Sequence, residues 1–160
     1  RLVSGSVAEG VARNVSAPTL LLPLGCSCFA NETNGELSLK RMLVPAGNRE
    51  EAERGIRAAI SLGRLCGSDG VELVLLHAGG GRVPPVVNDD PKFPIVSRSY
   101  ASSIAEAIQG AIAALAPDVI VMGTHGHDTL DDVVLGSRTE RVLHTLSLPM
   151  LWVPLPTTVS

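Results

Sequence analysis

Strand-like and helix-like segments alternate along this chain from residue 41 to residue 154. Short and nearly continuous apolar runs predict buried strands. The segments between them repeat apolar residues every three or four positions, which predicts helices that pack by one face. Strands that alternate with helices pair in parallel through right-handed crossovers. The sequence therefore predicts an α/β fold with an open parallel sheet flanked by helices.

The ends of these elements are marked by capping and turn residues. Asn48 is predicted to cap the first helix, with Glu51 as its capping-box partner, and Ser102 or Ser103 to cap the second. Residues 79–94 are rich in glycine and proline and predict an irregular connection. The predicted strands are Met42–Pro45, Val71–His77, Ile95–Val96, Val119–Met122 and Met150–Val153, and a third helix is predicted from Ser137 to about Leu146.

The first 23 residues resemble the last predicted helix and strand of the chain. Gly5–Pro23 and Gly136–Pro154 carry Gly, Ser, Glu, Val, Leu and Pro residues at matching positions. We infer that residues 1–23 are the helix and last strand of a preceding domain of the same kind, most of which is missing. Residues 24–40 are then a linker, residues 41–154 the main domain and residues 155–160 a tail.

Composition excludes several classes of function. The chain has 160 residues, of which 45% are hydrophobic and 18% charged, with a net charge of −3 and no basic run. It can bury a core, but it offers neither a phosphate-binding basic surface nor, with 2% aromatic residues, a base-stacking platform. The longest apolar stretch, Ala17–Ala30, is too short and too interrupted to span a bilayer. The absence of a signal-peptide pattern and the three sparse cysteines indicate a cytoplasmic location.

A glycine-rich loop follows the strand that ends at Met122. Gly123, Gly126 and Gly136 lie in this loop, and Ser137 follows at the start of the predicted third helix. Glycines just past the carboxyl end of a parallel strand allow backbone N–H groups to approach a phosphate, and a helix amino terminus favours an anion. From spacing alone, a ligand site and a set of turn glycines with an N-cap serine are equally good interpretations.

This loop and its flanks resemble the universal stress protein family. The pattern Gly-x2-Gly-x9-Gly-Ser after an apolar strand ending in Met is that family's nucleotide motif, and the segments DVIVMGTHG, GSRTERVLHTLSLPMLWVP, RMLVPAGNREEAERGIRAAISLGRL and VELVLLHA match its flanks. The resemblance covers about residues 41–154, with residues 1–23 as a second, partial copy. It implies a Rossmann-like sheet of five parallel strands, of the adenine nucleotide alpha hydrolase type, with ATP or another adenine nucleotide at the strand ends.

The resemblance also implies which residues form the nucleotide site. The end of the first strand would lie against the base, and residues at the ends of the second and fourth strands would line the adenine pocket. The glycine loop and the start of the following helix would contact ribose and phosphates. The residues so implied are Pro45, Ala46, Gly47, Ala78, Met122, Gly123, Thr124, His125, Gly126, Gly136, Ser137 and Arg138.

Three features depart from the family pattern. Nucleotide-binding members usually carry Asp at the end of the first strand, whereas Gly47 stands there in this chain and leaves no carboxylate available. The loop carries Asp128, Asp131 and Asp132, whose charges would repel a triphosphate unless a cation such as Mg²⁺ intervenes. The connection from residue 79 to about residue 92 is too short for the helix that the family usually has there.

Other residues with chemical potential have an ordinary structural interpretation. His125, His127 and Asp128 could ligate a metal but are more typical of a solvated loop, so we expect no metal site. His77 ends a buried strand and is expected to be hydrogen-bonded there rather than to act as a base. Cys26 and the other two cysteines are expected to be free thiols.

Two hypotheses of function follow. The first is a cytoplasmic stress-response domain that binds an adenine nucleotide and is not an enzyme, with at most slow incidental hydrolysis of ATP. The second is a ligand-free dimerisation or protein-interaction module, and an Asp restored at Gly47 should strengthen nucleotide binding only under the first. The strands Thr19–Leu22 and Met150–Val153 are predicted to pair antiparallel, within one chain or between the chains of a homodimer. No nucleic-acid or membrane partner is expected.

Overall fold

The computed structural model describes residues 16–23, 25–26, 29–31, 33–83, 85–88, 90–124 and 147–154. Six strands in this part of the chain form one sheet, and two helices pack on it. The strands are β1 (Thr19–Leu21), β2 (Arg41–Pro45), β3 (Glu72–Ala78), β4 (Ile95–Tyr100), β5 (Val119–Thr124) and β6 (Met150–Pro154), and the helices are α1 (Arg49–Leu65) and α2 (Ile104–Leu115).

The order of the strands across the sheet is β1-β6-β5-β2-β3-β4. Strands β2 to β6 pair in parallel, as the alternation of strands and helices predicts, so the α/β fold is confirmed. β1 is added at one edge and pairs antiparallel with β6, with Leu20 opposite Leu151. It is the strand of the predicted amino-terminal unit, whose helix lies outside the described residues, as does the predicted third helix. The division of the chain into domains and a linker stays a prediction.

Both faces of the sheet are buried because a helix covers each of them. On β2, Met42 and Val44 lie in the apolar cluster that contains α1, whereas Leu43 lies in the cluster that contains α2. Alternate residues of a strand point to opposite faces, which explains why the strand sequences are continuously apolar. Burial of each such aliphatic side chain contributes roughly 1.5–3 kcal/mol to folding.

Each helix begins at a capping residue. The side chain of Asn48 accepts a hydrogen bond from the backbone N–H of Glu51 at 2.9 Å, as predicted for α1. For α2 the cap is Ser103 rather than Ser102, and Ser103 and Glu106 form a complete capping box. These bonds satisfy backbone donors that a helix leaves free at its amino terminus.

The connection between β3 and β4 is irregular in its described residues, as predicted. It is fixed at its end by Phe93, which is fully buried against Gly63 of α1. Arg64 forms a salt bridge of 2.8 Å with Asp90, and this hydrogen bond, together with that from the backbone N–H of Lys92, holds the pKa of Asp90 below its usual value.

β4 is longer than its sequence predicts. The predicted strand covered only Ile95 and Val96, whereas the structure extends it to Tyr100. Ser97, Arg98 and Ser99 are exposed at the outer edge of the sheet, so the segment carries no apolar signal, yet its register with β3 continues to the end.

None of the helices in the described part of the chain is long and apolar enough to cross a membrane.

Candidate functional site

The chain changes its direction of winding between β2 and β5. From β2 it proceeds to β3 and β4 on one side, and it then returns to add β5 and β6 on the other side. The helix that follows β2 packs on one face of the sheet and the helix that precedes β5 packs on the opposite face. Open α/β sheets bind their ligands beside the carboxyl ends of the strands at such a switch point.

β2 ends before its two neighbours do. Its last residue, Pro45, is opposite Leu76, and β3 continues beyond that point to Ala78. On the other side β5 continues past Ile120, the last residue registered with β2, as far as Thr124. The ends of β3 and β5 therefore flank residues 45–47, and we call the region between these strand ends the β2 notch.

The described residues of the predicted site all lie around the β2 notch. Residues 45–47 form its base, Ala78 is the end of β3, and residues 122–124 are the end of β5. The remaining predicted site residues, His125, Gly126, Gly136, Ser137 and Arg138, lie outside the described residues. All predicted site residues that the structure describes thus lie close together. The role of each of them in binding stays a prediction.

The wall of the notch on the α2 side is apolar. Met122 is only 4% exposed and belongs to the cluster beneath α2, and Ala78 packs against the same cluster. Ala46, at the base, is 3% exposed and donates its backbone N–H to the carbonyl oxygen of Leu76 at 2.9 Å. An apolar wall with few competing polar atoms is suited to a planar, largely apolar ring.

A carboxylate lies at the base of the β2 notch, so the expectation that none is available there is wrong. Glu51, in the first turn of α1, is only 7% exposed. Its Oε2 accepts a hydrogen bond from the backbone N–H of Gly47 at 2.7 Å, and its Oε1 accepts one from Nδ2 of Asn48 at 2.6 Å. The sequence marked Glu51 as part of a capping box, which predicted a helix start and gave no sign that the carboxylate would be buried beside a strand end.

His77 joins the ends of β2 and β3. Its Nδ1 lies 3.0 Å from the carbonyl oxygen of Ala46, which makes Nδ1–H the donor of this bond. A Cβ on Gly81 would lie 2.8 Å from Nε2 of His77, so the connection after β3 folds closely over the imidazole ring. This arrangement agrees with the expected structural role of the half-buried histidine.

The opposite end of the sheet carries a separate open cavity of about 450 Å³. Lys40 and Asp118 lie on its lining. Oδ2 of Asp118 accepts from the backbone N–H groups of Lys40 and Arg41 at 2.7 and 2.8 Å, so this carboxylate holds the start of β2 in place. Within the described ranges no group of three or more His, Cys, Asp and Glu side chains could hold a metal ion.

Comparison with known proteins agrees with the fold and with the family pattern. Residues 87–154 match the model of the universal stress protein family. Residues 87–154 are thus similar to a universal stress protein domain. No curated protein matches it significantly.

Solved structures of low sequence identity share the fold. A universal stress protein from Archaeoglobus fulgidus DSM 4304 is 19% identical with a TM-score of 0.61, over 95% of this chain and 55% of that one. The hypothetical protein MJ0577 is 20% identical with a TM-score of 0.54, over 75% of this chain and 99% of that one. This chain therefore spans little more than half of the Archaeoglobus protein that it matches.

Proposed function

We propose that this chain is a cytoplasmic universal stress protein that binds an adenine nucleotide at the β2 notch and acts by binding rather than by catalysis. The observation that carries the proposal is the position of the notch. It lies at the switch point of the sheet, and β5, which forms one side of it, runs directly into the glycine pattern that starts at Gly123. The place where open α/β sheets bind ligands and a sequence pattern typical of phosphate binding therefore meet at the same strand end, which supports the proposal.

The base and the phosphates of the nucleotide would contact different parts of the proposed site. The base would lie on residues 45–47, against the apolar wall of Ala78 and Met122. The phosphates would extend toward the loop of Gly126, Gly136 and Ser137, for which the sequence predicts free backbone N–H groups and a helix amino terminus that favour an anion. The three aspartates of that loop make Mg²⁺ the expected companion of a triphosphate.

The proposal is tested by isothermal titration calorimetry of the protein with ATP, ADP and AMP in the presence of Mg²⁺. We expect binding by the natural protein, and a loss of at least about tenfold in affinity, or 1.4 kcal/mol, for Gly126→Val, which puts a branched side chain into the glycine loop. Gly110→Ala is the matched control because a Cβ on that glycine of α2 would meet no atom within 4 Å. Absence of binding up to millimolar nucleotide would overturn the proposal.

We also propose that β1 covers the edge of β6 in place of a second chain. The pairing of these two strands within one chain would then substitute for the strand pairing of a homodimer. Thr19, Leu20 and Leu21 are opposite Trp152, Leu151 and Met150, respectively. An uncovered edge of β6 would offer unpaired backbone groups to another chain. This arrangement supports the interaction module as a second function of the same domain, with β1 as the strand that a partner would displace.

Deletion of residues 1–23 tests this assembly. The freed edge of β6 should produce dimers or larger species, which light scattering after size-exclusion chromatography detects. Leu22→Ser is the control, because Leu22 lies just past β1 and is 56% exposed, so its substitution leaves the pairing intact. A truncated chain that stays a well-folded monomer would count against the proposal.

A further inference from the structure

Glu51 is the one charged side chain that is buried among the residues that the structure describes. Burial of a carboxylate is costly unless hydrogen bonds compensate for the lost hydration. The donors here are the backbone N–H of Gly47 and the side-chain amide of Asn48, at 2.7 and 2.6 Å. Both donors belong to the turn that follows β2. Their hydrogen bonds therefore hold the buried carboxylate at the base of the β2 notch.

Glu51 occupies the place to which a side chain at position 47 would project. A Cβ built on Gly47 would lie 3.3 Å from Oε2 of Glu51, so a side chain at this position would begin in tight contact with the carboxylate. An Asp at position 47 would bring a second carboxylate against the first in a poorly hydrated place. The absence of a side chain at Gly47 therefore leaves room for the buried carboxylate of Glu51.

The carboxylate retains the capacity to bind a ligand. Each carboxylate oxygen accepts about two hydrogen bonds. Within the described part of the chain, Oε1 and Oε2 each accept one. Because the group is an acceptor only, it favours a ligand atom that carries a hydrogen, and its charge repels a phosphate.

We propose that Glu51 is the residue that determines the specificity of the β2 notch: its carboxylate accepts a hydrogen bond from the exocyclic amino group of adenine, and its charge repels the phosphates. This inference rests on the proposed nucleotide binding. In this chain the carboxylate beside the end of β2 belongs to Glu51 in the first turn of α1, and not to a residue of the strand end. A nucleotide whose base has a carbonyl oxygen in place of the amino group binds more weakly, because two acceptors then face each other.

The test compares the affinities of ATP and ITP, in which a carbonyl oxygen replaces the amino group and N1 of the base carries a hydrogen. We expect the natural protein to prefer ATP by about tenfold, the discrimination typical of one hydrogen-bonded group. Glu51→Gln should abolish or invert the preference, because the new amide donates to the carbonyl group of ITP. Glu53→Gln is the matched control, since Glu53 is on the same helix but pairs with Arg49 at the surface and should leave the preference unchanged.

The two nucleotides separate the possible failures. If the natural protein binds neither, the proposed function itself fails. If ATP binds but Glu51→Gln weakens both nucleotides equally and retains their ratio, Glu51 only supports the turn and the inference is overturned.

A second pair of variants tests the inference if Glu51→Gln does not fold, which circular dichroism shows. Gly47→Asp alone should weaken ATP binding, contrary to the expectation from the sequence, because it adds a carboxylate beside Glu51. Gly47→Asp combined with Glu51→Ala moves the carboxylate to the strand end and should restore the preference for ATP. A single Gly47→Asp variant that binds ATP more tightly would contradict the proposed role of Glu51.

Discussion

The two helices begin with the same local pattern and use it differently. In α2, Oε2 of Glu106 accepts from the backbone N–H and the hydroxyl of its own cap, Ser103, at 3.1 and 2.8 Å, on an exposed surface. In α1, the equivalent Glu51 extends past its cap to the backbone N–H of Gly47 and is buried. The pattern of cap and glutamate thus defines a helix start in both cases. Only the position of the helix on the sheet makes one of the two carboxylates part of a candidate site.

The helices also differ in how closely they approach their neighbours. A Cβ on Gly55 of α1 would lie 2.6 Å from Cγ1 of Val44, and one on Gly63 would overlap the ring of Phe93. A Cβ on Gly110 of α2 would have no atom within 4 Å, and α2 instead packs through Ala107 and Ala111, which are fully buried. The close approach of α1 to β2 explains why a side chain in its first turn reaches the strand end.

The largest effect that we expect from this difference is that of Gly63→Ala. The added methyl group displaces the fully buried ring of Phe93, and overpacking of this kind costs about 1–3 kcal/mol of the free energy of unfolding. Gly110→Ala should instead stabilise the protein by about 0.5–1 kcal/mol, because alanine loses less backbone entropy in a helix and meets open space. Urea-induced unfolding of both variants measures the two values. Two changes of the same sign would show that the helices do not differ in their packing.

Most of the fold could be predicted from the sequence because its signals are local. The apolar runs of the buried strands, the periodicity of α1 and α2 and the caps at Asn48 and Ser103 depend on residues close together in the chain. β4 was predicted too short because its last residues are polar at the edge of the sheet, where pairing with β3 and not burial defines the strand. Such pairing joins segments distant in sequence, which no local pattern indicates.

The candidate site was only partly predictable for the same reason. The glycine loop is indicated by its own glycines after a parallel strand, and the strand ends at Ala78 and Met122 by the family resemblance, which aligns positions one by one. In such an alignment the absence of Asp at Gly47 implies the absence of a carboxylate. It could not detect that Glu51 fills the same place from the helix, because this substitution requires the close packing of α1 on the sheet to be known.

The smaller effects that we expect come from the caps themselves. Asn48→Ala removes an acceptor for the backbone N–H of Glu51 and a donor to its carboxylate, which together should cost about 2 kcal/mol. Ser103→Ala should cost about 0.5–1 kcal/mol, since the hydrogen bond that its Oγ accepts from the backbone N–H of Glu106 is long, at 3.4 Å, and exposed to water. Thermal and urea unfolding give both values, and titration with ATP should show a weaker affinity for Asn48→Ala only.

The aspartate variants Asn48→Asp, which is isosteric, and Ser103→Asp make the comparison sharper. Aspartate caps a helix as well as asparagine does, so a cap that serves the helix alone should tolerate it. In α1, however, the new carboxylate would face Oε1 of Glu51 where Nδ2 of Asn48 now donates at 2.6 Å, and the repulsion between two poorly hydrated charges should destabilise the protein at neutral pH. Ser103→Asp, on an exposed surface, should show little change in the free energy of unfolding. Equal destabilisation of the two variants in urea-induced unfolding at neutral pH would mean that Glu51 is solvated like Glu106, and the assignment of a buried acceptor to the β2 notch would then lose its physical basis.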